Sequence, residues 1–467
     1  MSQHLLTRGL IDQFIAIVGA AYVIEGSAID PKYARDETED LFFEPHLLII
    51  PGAVSEISRV LSIAHEHHIP LTTRGGGTGL AGGALPVCGG IVLSMERLNR
   101  ILEIDEANLQ VTVEPGVITE VLQNAVQEKG LFYPPDPSSK GISFIGGNIS
   151  TNAGGPRAVK YGVVKDYVLN LEVVLADGKI IETGARTLKN STGYNLTQLF
   201  IGSEGTLGVI TKIVLKLLPY PTHQLLVLVP FNDANRACAA VSAIFRAGVV
   251  PSAIEFMERD AIVLASKYLG RPILADDDPV QAHLLIEVDG FYEAPLYSDM
   301  EKIAEIVQQF GAGEILFADD EATKKELWLL RRNVAHAVKQ NSIYKEEDTV
   351  VPRASLPELL SEVKRLGSVY GFRSVCYGHA GDGNLHVNIL KGGMPDTDWM
   401  NQLPLAIEQL FTFVKSLGGT ISGEHGIGYV QKRYMHTVFD QTSLDMMKGI
   451  KRIFDPNGIL NPEKIFP

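Results

Sequence analysis

Thr72-Thr73-Arg74-Gly75-Gly76-Gly77-Thr78-Gly79 follows the helix-like run 54–67 and the extended Ile69-Pro70-Leu71. Consecutive glycines carry no Cβ, so several backbone N–H groups can turn toward one anion and form a nest. A pyrophosphate is the natural guest of such a loop. The usual nucleotide fingerprints do not apply. Gly77–Gly82 spells Gly-x-Gly-x-x-Gly, but no ribose-binding acid follows on a second strand, and the Gly-Lys-Ser/Thr of a P-loop is lacking.

Three further stretches extend the pattern. They are Pro134-Pro135-Asp136-Pro137 and the glycine-rich Ile145-Gly146-Gly147-Asn148-Ile149-Ser150-Thr151-Asn152-Ala153-Gly154-Gly155 and Gly202-Ser203-Glu204-Gly205-Thr206-Leu207-Gly208-Val209-Ile210-Thr211. The glycine-rich pair combines small residues with hydrogen-bonding Asn, Ser or Thr. Together the stretches describe a cofactor lying in a long backbone-lined groove.

Between them lie β-rich runs at 47–50, 90–93, 101–104, 110–113, 169–175 and 208–218. Helical periodicity appears at 54–67 and 119–130, and Asp177-Gly178 marks a hairpin turn. An amphipathic helix is predicted over 11–23. Pro219, Pro221 and Pro230 mark a change of composition. Strand-like runs at 224–229 and 283–288 then mix with helical runs at 234–247, 295–310, 321–340, 356–370 and 405–417. Strands and helices without strict alternation predict an α+β chain.

A chain of 467 residues is too long for one core, and its 45% apolar and 21% charged residues describe a globular protein. A net charge of −14 disfavours nucleic acid and anionic membrane surfaces. Cys88, Cys238 and Cys376 form no pairing or metal pattern, which fits a reducing compartment. No secretory signal and no transmembrane run of about 20 apolar residues is seen. The expected location is cytoplasmic, or peripheral to a membrane through a partner.

Toward the C-terminus, His379-Ala380-Gly381-Asp382-Gly383-Asn384-Leu385-His386 is followed by Asn388 and then by Gly423-Glu424-His425-Gly426. The flanks 372–379 and 385–390 read as strands about a turn, so His379 and His386 converge at one end of a hairpin. Two imidazoles and one carboxylate, His379, His386 and Glu424, suit a divalent metal, Zn²⁺ first and Mn²⁺ second. They leave coordination positions open for a substrate. Asn388 shares the strand face of His386 and can orient substrate or metal-bound water. His425, beside Glu424 and titratable near neutrality, is the candidate base.

Taken jointly, these motifs resemble the FAD-linked oxidases of the vanillyl-alcohol oxidase/p-cresol methylhydroxylase fold. Within them the chain is similar to the branch of D-lactate dehydrogenases, glycolate oxidase FAD subunits and D-2-hydroxyglutarate dehydrogenases. The Arg-Gly-Gly-Gly-Thr loop, Gly-Gly-Asn…Asn-Ala-Gly-Gly, Gly-Ser-Glu-Gly-Thr-Leu-Gly, the His…His turn and Gly-Glu-His-Gly-Ile-Gly all carry the likeness. It covers essentially the whole chain.

The fold implied is α+β: a two-subdomain FAD-binding domain (PCMH-type) over 1–220, a substrate cap domain with the metal site over 221–425, and a C-terminal segment, 426–467, returning to the FAD domain. The resemblance implies that Arg74, Gly75, Gly76, Gly77, Thr78 and Gly79 bind the FAD pyrophosphate. Pro135, Asp136, Ser138, Gly146, Gly147, Asn148, Thr151, Asn152, Gly154, Gly155, Glu204, Gly205, Gly208, Ile210 and Asn461 line the rest. Covalently flavinylated relatives often carry a His in the glycine loop. Thr78 stands there in this chain, so noncovalent FAD is expected.

The chemistry implied is metal-dependent oxidation of a D-2-hydroxy acid (D-lactate, glycolate or D-2-hydroxyglutarate) to the 2-oxo acid. Arg331 occupies the family's Trp-x-x-Arg position and can grip the substrate carboxylate bidentately. Lys345 and Arg353 are further candidate cations. The chain has no Cys-rich iron–sulfur motif, so electrons must pass to a separate acceptor. An electron-transfer flavoprotein, a quinone or an iron–sulfur partner subunit would serve, and a homodimer is compatible. Two other readings compete: an O₂-using flavin alcohol or sugar oxidase, and a non-catalytic FAD electron-transfer subunit. The His/His/Glu set counts against the first, since such enzymes need no metal, and the second would require the cluster to be idle.

Overall fold

The computed structural model describes residues 6–271, 278–318 and 320–467. Contacts divide the chain into two compact units. The first comprises Met1–Ala153, Val163–Tyr220 and Glu424–Pro467, and the second Gly154–Gly162 with Pro221–Gly423.

The first unit contains two main sheets. A four-stranded sheet has the order Val23–Glu25, Leu47–Ile49, Ile91–Ser94, Leu71–Arg74, and its last three strands run parallel. Parallel strands are covered on both faces, and Leu47, Leu48, Ile49, Ile91, Val92 and Leu93 are accordingly all buried. The helix Val54–Glu66 turns Ile57, Val60, Leu61 and Ala64 inward. Its Ser58 and Ser62 hydroxyls donate to the carbonyls of Gly178 and Asp177. Those carbonyls belong to the hairpin turn of the second sheet, where Gly178 has φ +85°. That sheet is antiparallel, in the order Ile101–Asp105, Gln110–Val113, Val209–Lys216, Val168–Val174, Ile180–Glu182.

The end of the chain completes this unit. Leu71 N–H donates to the carbonyl of Ile459 and Asn461 N–H to that of Leu71, both at 2.8 Å. Residues 459–461 therefore lie along the free edge of the strand that leads into the glycine loop. Lys451, on the helix Gln441–Phe454, reaches the carbonyls of Thr206 at 2.7 Å and Leu460 at 2.9 Å.

The second unit is a seven-stranded antiparallel sheet in the order Leu316–Ala318, His223–Phe231, Ala282–Gly290, Ala253–Glu258, Arg373–Gly378, Asn384–Leu390, Tyr344–Val350. On one face Leu226, Leu228, Met257, Leu285, Val375, Tyr377 and Leu390 pack against the helices Arg259–Tyr268, Glu321–Arg332 and Val334–Asn341. Cross-strand partners share a face. The registers Met257↔Tyr377, Tyr377↔His386 and Glu346↔Asn388 therefore place all these side chains on that same face.

The structure departs from the sequence reading at several places. The first helix is Arg8–Val18, not 11–23. It is ended by Gly19 at φ +91°, and Val23 starts a strand. The run 321–340 is two helices, broken at Asn333, whose side chain donates back to the carbonyl of Leu329 at 2.8 Å. The segment 154–162, within the range assigned to the first domain, packs with the second unit. There Lys160 and Tyr161 bind the buried carboxylate of Asp289. The second unit ends at Gly423.

His283 sits on the polar-and-apolar face just described, paired with Met257. Burial pushes its imidazole down to about 4. The folded value then lies below the ordinary 6.5, so between those values the unfolded chain binds a proton that the folded chain refuses. Stability from this group is present above about pH 6.5 and is lost as pH falls to about 4, by at most about 3 kcal/mol. His283→Leu should flatten the decline of melting temperature over this window. An identical decline in the variant would reject His283 as its source.

Candidate active site

The glycine loop is built by close approach. A Cβ on Gly77, at φ +73°, would meet Arg74 Nη2 at 2.1 Å, and one on Gly76 would meet the carbonyl oxygen of Ile142 at 2.4 Å. Arg74 thus folds under the loop. Its Nη2 donates to the carbonyl of Lys32 at 2.8 Å, and Nη1 is buried without a hydrogen-bond partner. Gly75 lies against Phe144 and Gly147, which joins this loop to the segment 142–147.

The segment read as a glycine-rich groove lining is a short helix, Ile145–Thr151. Asn148 Nδ2 donates to Thr119 Oγ1 at 2.6 Å, so this side chain anchors the helix. Asn152 ends the helix in the left-handed region, and its Oδ1 accepts Lys165 N–H. The Gly202–Thr206 turn docks on the helix through Gly202 N–H to Ile149 O and Glu204 N–H to Ser150 O. Asn461 Nδ2 donates to the carbonyls of Gly83 and Glu204.

Glu204 reaches the other way. Its carboxylate accepts the N–H groups of Ile427 and Gly428, both at 2.8 Å. Burial pushes its carboxyl up to about 7, against the pull of those two donors and Lys464. Asp136 is buried, with Lys140 Nζ at 2.8 Å, and Pro135 O accepts Gln123 Nε2. Gly208 lies against Val173, and Ile210 pairs with Val173 in the sheet.

These residues form a cradle that fits a flavin dinucleotide. Gly147 has open space where a Cβ would stand, and Gly202 and Gly205 would meet nothing closer than 3.7 Å. Thr73 Oγ1 and Asn461 Oδ1, which flank the Gly202–Gly205 turn, are buried without a hydrogen-bond partner. Buried polar atoms of this kind keep hydrogen-bonding capacity for a polar ligand or water.

The second unit holds the other set of residues. The hairpin of Arg373–Gly378 and Asn384–Leu390 closes through a single 3₁₀ turn, Ala380–Asp382, and Gly383 at φ +87°. It brings His379 and His386 together, with ring centroids 5.4 Å apart and both rings buried. Asp348, the strand partner of His386, has Oδ1 3.6 Å from His386 Nδ1, and Glu346 Oε1 lies at 3.7 Å. Asp348 also accepts Asn384 Nδ2, Ser422 Oγ and Gly423 N–H. It thereby fixes the backbone one residue before Glu424.

Arg331, from the helix Glu321–Arg332, is buried on the same face. Its Nη2 lies 2.6 Å from Glu255 Oε2, and its guanidinium stands over the Tyr377 ring. Its Nε is buried without a hydrogen-bond partner, which leaves a donor for an anion. Glu255 is fully buried. Burial pushes its carboxyl up, but Arg331, His379 and His386 outweigh this and hold it below the usual carboxylate range. Burial and Glu346 drive the Tyr377 phenol far up, so it stays neutral. Asn388 is buried on the face that carries Tyr377 and His386.

Two expected cations lie elsewhere. Lys345 pairs with Ile389, so strand alternation turns it to the opposite face from Glu346 and Asn388. Arg353 stacks on Phe245 at 3.8 Å, on the helix Ala234–Arg246. Glu255, Glu346 and Asp348 were not singled out by any motif. A signal existed for the first: a single carboxylate inside Ala253-Ile254-Glu255-Phe256-Met257, an otherwise apolar strand.

Two family models match the chain. Residues 45–184 match the FAD binding domain family, and 220–465 match the FAD linked oxidases, C-terminal domain. The chain is 40% identical to glycolate oxidase subunit GlcD of Bacillus subtilis (strain 168), over 99% of this chain and 97% of that protein. It is 36% identical to the D-lactate dehydrogenase of Anaerostipes hadrus, over 98% of each. It is 32% identical to the D-2-hydroxyglutarate dehydrogenase of Stutzerimonas stutzeri (strain A1501), again over 98% of each. Among solved structures, p-cresol methylhydroxylase with substrate bound superposes with TM-score 0.80 at 19% identity, covering 98% of this chain and 97% of that one. The fold is therefore the PCMH-type flavoprotein fold. Among the described residues, no helix is long and apolar enough to cross a membrane.

Gly147 offers a test of the cradle that leaves folding aside, because a Cβ there would meet no side chain and no backbone of another segment within 4 Å. Gly147→Asp should keep a near-normal apoprotein melting temperature while flavin content falls at least about tenfold, by charge repulsion of the pyrophosphate. Gly76→Asp, which collides with Ile142, should lose flavin and stability together. Full flavin content in Gly147→Asp would remove this glycine from the cradle.

Proposed function

The chain belongs to the FAD-linked oxidases, and from that footing we propose that it oxidises a D-2-hydroxy acid to the 2-oxo acid with a divalent metal held by His379, His386 and Glu424. The observation that carries the reading is the pair of buried imidazoles His379 and His386, set on one sheet face with the buried guanidinium of Arg331. Imidazole nitrogens suit Zn²⁺ or Mn²⁺, and a carboxylate completes an open set. Glu424 is bonded to Gly423, which Asp348 holds beside His386. The names of the relatives support a substrate with a 2-hydroxycarboxylate head.

Arg74–Gly79, Gly147, Gly202–Gly205 and Asn461 are the residues that would hold FAD, which when bound supplies the acceptor for the α-hydrogen and its electron pair. A metal held by His379, His386 and Glu424 would supply Lewis acidity toward a substrate hydroxyl. The chain's own groups do the rest. Arg331 receives the substrate carboxylate through its unpartnered Nε–H. His425 takes the hydroxyl proton. Asn388, buried on the His386 face, orients the substrate. Electrons then leave to a separate acceptor, and the naming of one relative as a subunit supports a partner subunit in that role.

Rapid mixing with D- and L-lactate, glycolate and D-2-hydroxyglutarate tests the substrate class. Flavin should bleach with D substrates, and a preference for L substrates would overturn the stereochemistry. His386→Ala should lower metal content and bleaching together while FAD stays bound. A metal-free preparation with full turnover would refute the metal.

His425→Ala should slow flavin reduction by roughly 10²–10⁴ fold with metal and FAD retained. It should also abolish the limb of the pH profile that rises with deprotonation near neutrality. Near-normal bleaching in that variant would exclude His425 as the base.

Arg331→Ala should raise KM, by about 2–4 kcal/mol in kcat/KM, and Arg331→Lys should not restore it, because a point charge lacks the planar fork. An unchanged KM would move the anchor elsewhere.

A further inference from the structure

Glu255 lies outside every motif, on the strand Ala253–Glu258, yet it sits where two roles meet. Its Oε1 and Oε2 lie 2.8 and 2.9 Å from His379 Nδ1, and Oε2 lies 2.6 Å from Arg331 Nη2. The residue is fully buried. We infer that Glu255 is a positioning residue that fixes His379 with its proton on Nδ1, leaving Nε2 as the metal-binding nitrogen, and that the same carboxylate sets the place of Arg331. The inference rests on the reading of His379 as a metal ligand.

The chemistry is direct. An ionised carboxylate only accepts, so the imidazole nitrogen beside it must donate. A neutral imidazole with Nδ1 protonated has its lone pair at Nε2. A carboxylate behind a ligating histidine orients the ring and raises its basicity. The register explains how the three groups meet. Phe256 pairs with Gly378 and Met257 with Tyr377, so continuation of the ladder brings Glu255 opposite His379. Arg331 then descends from the helix that covers this face. One carboxylate thus links the ring that would hold the metal to the guanidinium that would hold the substrate.

The full-length, FAD-loaded protein, stripped of metal by a chelator, provides the test. In ¹⁵N-histidine-labelled protein, with the His379 signal assigned through His379→Asn, Nδ1 should carry the proton. A bare Nδ1 would overturn the inference. This arm uses the wild-type chain and needs no variant to fold at position 255.

The second arm measures Zn²⁺ affinity by competition with a chromophoric chelator. Glu255→Gln should bind Zn²⁺ roughly 10–100-fold more weakly at unchanged FAD content. The double variant Glu255→Gln/Arg331→Met, which removes the opposing charge as well, should show the same loss. A merely structural role would lower the melting temperature and leave the affinity alone. Wild-type affinity in Glu255→Gln, or its return in the double variant, would overturn the assignment. A wild-type chain that binds no Zn²⁺ would instead sink the metal reading, while the labelling arm still reports the Glu255–His379 bond.

Discussion

An ionised carboxylate with no exposure to water survives only beside matched positive charge and hydrogen-bond donors, and Glu255 has both. Taking that charge into the interior costs several kcal/mol before any partner arrives. The partners come from distant parts of the chain: Arg331 from a covering helix, His379 from the hairpin turn. Strand register, helix docking and turn conformation must therefore be right together. A one-residue slip of the hairpin would carry His386 and Asn388 to the opposite face. Glu255 would then lose the neighbours that make its burial tolerable.

The same sheet face does two jobs along its length. Around Leu226, Leu285, Val375 and Leu390 it is an apolar floor under three helices. Toward the hairpin end it turns polar, through Glu255, Tyr377, His386, Asn388 and Asp348. The apolar part supplies the rigidity that the polar part needs. Ligand side chains based on paired strands keep their positions better than side chains on free loops. Tyr377 stands at the join, with its ring near Arg331 and His386 and its hydroxyl donating to Glu346 at 3.3 Å.

Much of this was legible in the sequence, because the informative features are local. Gly-Asp-Gly-Asn between two apolar runs specified a hairpin, and the flanking histidines had to converge. The helices over 54–66, 234–246 and 356–370 showed their period in the chain itself. What stayed hidden is long-range. Glu255 lies 124 residues before His379, and nothing local ties them. Local composition gave no sign of the helix Ile145–Thr151, where glycines disfavour one. The helix forms because Asn148 bonds Thr119 and because Gly146 fits against Pro115, where a Cβ would come within 2.5 Å. Lys345 failed for a simpler reason: one position along a strand decides the face, and a charge count does not see it.

The pairing of residues 459–461 with Leu71 also bears on how the protein stays apart from its copies. The strand Leu71–Arg74 lies at the edge of its sheet and feeds the glycine loop, and residues from a distant part of the sequence close that edge. Asn461 also bonds the Gly83 and Glu204 carbonyls beside that loop. An uncovered strand edge offers unpaired N–H and C=O groups to any other chain. The segment 459–461 occupies those groups and so acts as a guard against edge-to-edge aggregation.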